Sequence, residues 1–150
     1  LIDALVSSKA SFKIIVVGGQ VLNSVTVFEN FENYKSEKEQ LLNEIVANKI
    51  KGVMFISGDR HFSELSELKR ANTYSLFDWT VSPLTSGHGN LEKVAKEDNQ
   101  NRVAGSLFAQ HVFGTLSFSG EKETRQMKLT LFDNEGKELW NKVILKKELE

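Results

Sequence analysis

Cysteine is absent from this chain of 150 residues, and proline occurs only once, as Pro83. Without cysteine the chain has neither a disulfide framework nor a thiolate metal site, so a bound metal would need oxygen and imidazole ligands. No apolar run approaches the ~20 residues of a membrane-spanning helix. The net charge of −1 gives no electrostatic reason to expect nucleic acid or an anionic membrane as a partner.

The remaining composition is typical of a globular domain with a hydrophobic core. Hydrophobic residues make up 40% of the chain and charged residues 26%. Residues 1–10 have the apolar spacing of a helix end, and no initiator methionine precedes them. We therefore expect residues 1–150 to form a single domain cut from a longer protein, in which a site built from several loops would be incomplete.

The first third of the chain has the pattern of a parallel βαβ unit. The β-branched run 12–17 and the apolar run 52–56 are each typical of a buried strand. Between them, Ser36 and Glu39 have the spacing of a capping box, which predicts a helix that ends at about Asn48. A strand, a helix and a strand in this order predict a right-handed crossover between parallel strands.

The rest of the chain predicts strands, most of them antiparallel. Residues 73–81 are strand-like, the polar segment 87–102 predicts a flexible solvent-exposed loop, and residues 111–119, 127–131 and 139–145 predict a meander. The expected fold class is therefore α/β (α+β). It is half of a mixed β-sheet sandwich, in which the βαβ unit is followed by a C-terminal antiparallel β meander.

The loop Gly58–His61 directly follows the second buried strand and is the main candidate for a functional site. Ligands of open α/β sheets bind beyond the carboxyl ends of the strands, and Asp59 and His61 are both metal-ligand types. At positions i and i+2 the two side chains can converge on one ion. The alternative is an ordinary turn, and two ligands are too few for a stable site.

Several neighbours of this loop have two possible roles. Gln20 ends the neighbouring strand, where its amide could contact a metal or substrate oxygen, or could cap its own turn. Arg60 is expected to point away from Asp59 and His61 into a structural ion pair. Glu64 is expected either to orient an imidazole or to be a solvated charge.

The other histidines have weaker signals. His88 lies in a Gly-rich loop that could approach the active edge, although a flexible surface position is also expected. His111 begins a strand, where it would pack or cap. No serine lies in a Gly-x-Ser-x-Gly elbow, and Gly18-Gly19-Gln20 lacks the spacing of a nucleotide-binding loop.

Taken together, these segments resemble the C-terminal part of alkaline phosphatase D-like (PhoD-like) metallophosphatases, within the calcineurin-like metallophosphoesterase superfamily. The resemblance covers nearly the whole chain. The segments that carry it are 13–20, 31–34, 52–65, 82–87 and 133–140.

The resemblance implies a sheet sandwich with a metal centre that hydrolyses phosphate monoesters or diesters. Asp59 and His61 stand where the superfamily has metal-binding histidines, and Gln20 stands where it has another. Such departures are similar to the D-type branch, which uses an oxygen-rich site with iron and calcium. His61 would then be a ligand or an acid near the leaving group, and Gln20 would touch metal or substrate.

The resemblance also implies that further metal ligands lie in an N-terminal part of the same protein. We therefore expect the chain alone to bind metal weakly and to catalyse little or nothing. Relatives of this kind are commonly exported, which suggests a periplasmic or extracellular protein. The rival hypothesis is a non-catalytic binding or scaffolding domain, in which the Gly58–His61 loop is only a turn.

Overall fold

Two β-sheets and three short helices make up the computed structural model, which describes residues 1–150. The helices are α1 (Ile2–Ser7), α2 (Lys35–Ala47) and α3 (Leu91–Ala95), and 3-10 turns cover Phe31–Tyr34 and Lys146–Leu149. The strands are β1 (Lys13–Val16), β2 (Val53–Ser57), β3 (Glu64–Leu68), β4 (Leu76–Thr80), β5 (Val112–Ser119), β6 (Gln126–Asp133) and β7 (Glu138–Leu145). None of the helices has the length and apolar character needed to cross a bilayer.

The first sheet holds the parallel strands. Its order is β1-β2-β4-β3, in which β1, β2 and β4 are parallel and β3 is antiparallel to β4. Helix α2 connects β1 to β2, so the predicted βαβ unit is confirmed. Because parallel strands end at the same edge, the loops after β1 and β2 lie side by side there.

The second sheet is the predicted meander, with the antiparallel order β5-β6-β7. Alternate residues of β6 face inward, and Met127, Leu129 and Leu131 are fully buried. The turn between β6 and β7 places Gly136 at φ +83°, a conformation that glycine adopts without a Cβ penalty. The fold class predicted from the sequence is therefore confirmed.

The core has two layers. One cluster lies between the sheets and includes Met54 and Trp79 of the first sheet with Leu129 of the second. The other lies between the first sheet and the helices, where Ile45 of α2 packs near Phe55. Strand β2 contributes to both layers, which explains its continuous apolar sequence.

The start of α2 differs from the prediction. The helix begins at Lys35, directly after the 3-10 turn, and its N-cap residue Tyr34 makes no side-chain cap bond. The capping box of Ser36 and Glu39 is therefore wrong, because both residues already lie inside the helix. The preceding 3-10 turn leads the chain into the helix instead.

Strand β3 is missing from the sequence prediction. Its residues read Glu-Leu-Ser-Glu-Leu, a polar pattern without a continuous apolar run. The strand forms because it pairs along β4, with Leu65 opposite Trp79 and Leu68 opposite Leu76. The predicted strand 73–81 is also shorter than expected, since β4 covers only Leu76–Thr80.

The segment 87–102 is mostly exposed, as its composition predicts, but it is not a loop throughout. It contains α3, whose N-cap Asn90 accepts a hydrogen bond from the Lys93 backbone N–H. Val94 and Asn99 are buried. Asn99 and Arg102 at its end join the segment to the first sheet, because their side chains donate to the buried Glu64 carboxylate.

Candidate functional site

The loop Gly58–His61 presents two side chains outward and one inward. Asp59 and His61 are exposed and have φ values of +64° and +56°, whereas Arg60 between them is buried. Positive φ is uncommon for residues other than glycine, although Asp and His tolerate it better than most. The prediction that the Arg60 side chain points away from those of Asp59 and His61 is confirmed.

An open pocket of about 310 Å³ lies over this loop. Its lining consists of Phe28, Glu29, Asp59, Arg60 and His61. Carboxylate and imidazole groups thus share one surface at the carboxyl edge of the parallel strands. The site predicted from the sequence lies at the edge where open α/β sheets bind ligands.

Arg60 forms a nearly buried ion pair with Glu97. The Nη2 atom lies 2.7 and 2.8 Å from the two carboxylate oxygens, and the side chains are 4% and 19% exposed. The structural ion pair expected for Arg60 is therefore present. It ties the Gly58–His61 loop to the segment that follows α3.

The guanidinium of Arg60 also lies between two aromatic rings. Its central carbon is 5.1 Å from the ring centroid of Phe28 and 4.9 Å from that of Phe62. The Nη1 atom donates to the side-chain oxygens of Gln20 and Asn30. These contacts fix the inward side chain and, through the backbone, the two outward side chains beside it.

Gln20 is completely buried and uses both ends of its amide. Its nitrogen donates to Glu64 Oε1 and to Thr80 Oγ1, both at 2.8 Å. Its oxygen accepts from Asn23 and from Arg60. Gln20 therefore joins the loops after β1 and β2 within the protein, and its contact with a substrate stays a prediction.

Glu64 is the centre of this buried polar network. One carboxylate oxygen accepts from Gln20, Asn23 and Asn99, and the other accepts from the Arg102 guanidinium. The side chain is fully buried. Both predicted roles are therefore wrong: Glu64 is not solvated, and none of its hydrogen bonds goes to an imidazole.

Asp78 is a buried polar residue that the sequence interpretation missed. One of its oxygens accepts from the backbone N–H groups of Val21 and Leu22 at 2.7 and 2.9 Å, and the other accepts from the Ser57 hydroxyl at 2.8 Å. Burial raises the pKa of this carboxyl above its ordinary value, against the opposing effect of the hydrogen bonds. A charged residue inside the apolar run of β4 was the available signal.

The two remaining histidines contact each other. The rings of His88 and His111 pack edge to face with centroids 5.5 Å apart, and His111 Nε2 lies 3.0 Å from the Ser86 carbonyl oxygen. In the same loop, the Gly89 N–H donates to the His61 carbonyl at 2.7 Å. The loop that carries His88 therefore lies against the Gly58–His61 loop, while the His88 side chain itself is exposed and does not line the pocket.

The donor set fits part of a metal coordination shell. Asp59 offers carboxylate oxygen and His61 offers imidazole nitrogen, the donor types that mixed oxygen and nitrogen sites use. No group of three or more histidine, cysteine, aspartate or glutamate side chains is placed to hold an ion. A stable site at this pocket would need further ligands.

These features define an architecture: a two-sheet sandwich with helices on one face and a polar site at the carboxyl edge of its parallel strands. A solved structure described as "Structure of PhoD" is similar to this chain, with a TM-score of 0.65 and 18% sequence identity. The similarity covers 86% of this chain and 27% of that chain, so this chain spans about a quarter of its length. At this identity the similarity shows the fold, and it confirms the PhoD-like resemblance at that level. No protein-family model and no curated protein matches the chain.

Proposed function

We propose that this chain is the C-terminal portion of a metal-dependent phosphoesterase of the PhoD-like kind. One observation carries the proposal: Asp59 and His61 both project from left-handed backbone positions into one pocket, while Arg60 between them is anchored inside. Non-glycine residues at positive φ cluster at functional sites, where the surrounding structure holds them. The similarity to the PhoD structure supports the same proposal through the fold.

In the proposed reaction, the residues of this chain bind and orient. Asp59 supplies a carboxylate ligand, and His61 supplies either a second ligand or a proton for the leaving group. Gln20 acts from behind the loop by holding Arg60, and would reach metal or substrate only if its present hydrogen bonds rearranged. When bound, the metal ions, iron and calcium by resemblance, make water more acidic and stabilise charge on the phosphate oxygens.

The remaining metal ligands come from another part of the full-length protein in this proposal. The substrates are phosphate monoesters or diesters, and the protein acts in the periplasm or outside the cell. The isolated chain binds metal weakly, because two protein ligands do not complete a coordination shell.

The test is phosphate ester hydrolysis by the full-length protein and its Asp59→Ala variant, with metals supplied. We expect kcat/KM to fall at least ~100-fold, at the upper end of what removing a metal-supporting residue costs. Asp3→Ala is the matched control, because Asp3 is exposed in α1, away from the pocket. Activity of Asp59→Ala near that of the control would refute the assignment.

A non-catalytic binding or scaffolding domain is the second candidate function. The observation that favours it is the lack of any three metal-binding side chains placed together in this chain. It predicts that the full-length protein hydrolyses no phosphate ester even with iron and calcium present. In that case the Gly58–His61 loop is only a turn, and Asp59→Ala would not weaken the binding of any partner to the domain.

A further inference from the structure

Phe28 is an aromatic side chain displayed at the pocket instead of being buried. Its side chain is 74% exposed, and it lines the same pocket as Asp59 and His61. Its φ is +48°, in the left-handed region that a bulky residue rarely adopts. Such a conformation persists where the surrounding structure holds the residue.

Contacts on both the ring and the backbone hold Phe28 in place. The ring lies over the Arg60 guanidinium at 5.1 Å, and that guanidinium is itself fixed by Glu97. The Phe28 carbonyl accepts a hydrogen bond from the Asn33 side chain. The ring is therefore preorganised, and a ligand that stacks on it loses little entropy of protein side chains.

Other exposed phenylalanines differ from Phe28 in their neighbours. Phe118 is 53% exposed and has the Phe12 ring 5.7 Å away, and Phe113 stacks on Phe132 at 5.2 Å. Each of these rings already has an aromatic partner within the protein. Phe28 has a cation as its contact, and none of the close aromatic ring pairs includes it.

We propose that the Phe28 ring is a stacking surface for an aromatic group of the substrate, so that the enzyme prefers phosphate esters whose substituent carries an aromatic ring. This proposal rests on the proposed function, because it assumes that the phosphate binds beside Asp59 and His61. The ester substituent then extends along the same pocket wall. The pocket volume of about 310 Å³ is at the lower end of small-molecule sites, which suits a phosphate with one ring.

The test compares benzyl phosphate with cyclohexylmethyl phosphate, which differ in the aromaticity of the ring. In both reactions a water oxygen bonds to phosphorus, the bond from phosphorus to the ester oxygen breaks, and the alcohol leaves with a proton. The full-length protein is assayed as wild type, Phe28→Ala, Phe28→Leu and Phe28→Trp. Phe118→Ala is the control, because it removes a similarly exposed ring elsewhere.

We expect the ratio of kcat/KM for the benzyl ester to that for the cyclohexylmethyl ester to fall about two- to tenfold in Phe28→Ala and Phe28→Leu. Phe28→Trp and Phe118→Ala should keep the wild-type ratio. Inhibition by benzylphosphonate should likewise weaken more than inhibition by cyclohexylmethylphosphonate when Phe28→Leu is compared with the wild type. Phe28→Leu keeps apolar bulk, so it answers the question even if Phe28→Ala fails to fold.

Two results would overturn the proposal, and they differ from each other. If the wild type hydrolyses both esters and the ratio is the same in Phe28→Leu, the stacking surface is refuted while the phosphoesterase proposal stands. An equal loss on both esters has the same meaning, because it indicates a structural role. If the wild type, with metals supplied, hydrolyses neither these monoesters nor the corresponding dibenzyl and bis(cyclohexylmethyl) phosphate diesters, the proposed function and the stacking surface are both refuted.

Discussion

Arg60 Nη2 contacts both carboxylate oxygens of Glu97, at 2.7 and 2.8 Å, in a pair that is almost closed to solvent. The two residues are far apart in sequence, and each lies in a polar loop. Their contact explains two features together. It orders the segment after α3, and it fixes the inward residue of the loop whose outward residues are Asp59 and His61.

Removing Glu97 should therefore weaken both the fold and the pocket. In Glu97→Ala the Arg60 guanidinium keeps its amide partners but loses its counter-charge, and we expect about 2 kcal/mol lower free energy of unfolding. Urea denaturation measures this loss. The matched control is Glu92→Ala, an exposed residue of α3, which should change stability by less than ~0.5 kcal/mol. Equal effects of the two substitutions would show that the ion pair contributes nothing.

Glu64 offers a sharper test of the buried network. In Glu64→Gln the shape is kept, but one end becomes an N–H donor that faces donors of Asn99 and Gln20 or of Arg102. The Arg102 guanidinium also loses its buried counter-charge. We expect a loss of about 3 kcal/mol in the free energy of unfolding.

Glu67→Gln is the control for that substitution. Glu67 lies in the same strand, and its side chain makes no hydrogen bond or ion pair in the fold. The free energies of unfolding of the two variants, measured by thermal or urea denaturation, should therefore differ by nearly the full loss of about 3 kcal/mol. A Glu64→Gln variant as stable as Glu67→Gln would contradict a stabilising role for the Glu64 network.

Asp78 should give the protein a characteristic dependence of stability on pH. Its pKa is raised in the folded state above the ordinary value of 3.8, mainly by burial, so the folded state binds the proton more tightly than the unfolded state. The stabilising contribution of the protonated Asp78 carboxyl to the free energy of unfolding is complete below pH 3.8. It is lost as the pH rises through the raised pKa.

Asp78→Asn should remove this dependence. The amide oxygen can accept from Val21 and Leu22, and the amide nitrogen can donate to the Ser57 hydroxyl oxygen, so the neutral geometry is retained. The stability of Asp78→Asn relative to wild type should thus rise between about pH 4 and neutrality, as measured by unfolding at a series of pH values. A constant difference across that range would show that Asp78 has no raised pKa.

The sequence was a good guide to those parts of the fold that depend on local patterns. Runs of β-branched and apolar residues predicted β1 and β2, because a strand covered on both faces needs apolar side chains at nearly every position. Alternation predicted the meander for a similar reason. Asp59 and His61 were candidates because they directly follow such a run, and their role in a metal site stays a prediction.

The buried polar network could not be predicted in this way. Glu64, Asn99 and Arg102 have the composition of solvated loops. Glu64 and Asn99 are nevertheless buried and Arg102 partly buried, because they bond to partners that are distant in sequence. Strand β3 could not be predicted for the same reason, since it depends on pairing with β4. Nothing in a local pattern indicates that a carboxylate will meet three amide donors.

The most direct test of the proposed function is the metal content of the purified full-length protein, compared with that of a variant carrying both Asp59→Ala and His61→Ala. The pocket predicts stoichiometric bound metal in the wild type and the loss of at least one equivalent in the variant, with the fold retained by circular dichroism. A wild type without bound metal, or a variant that keeps all of it, would contradict the proposal that the Gly58–His61 loop is part of a metal centre.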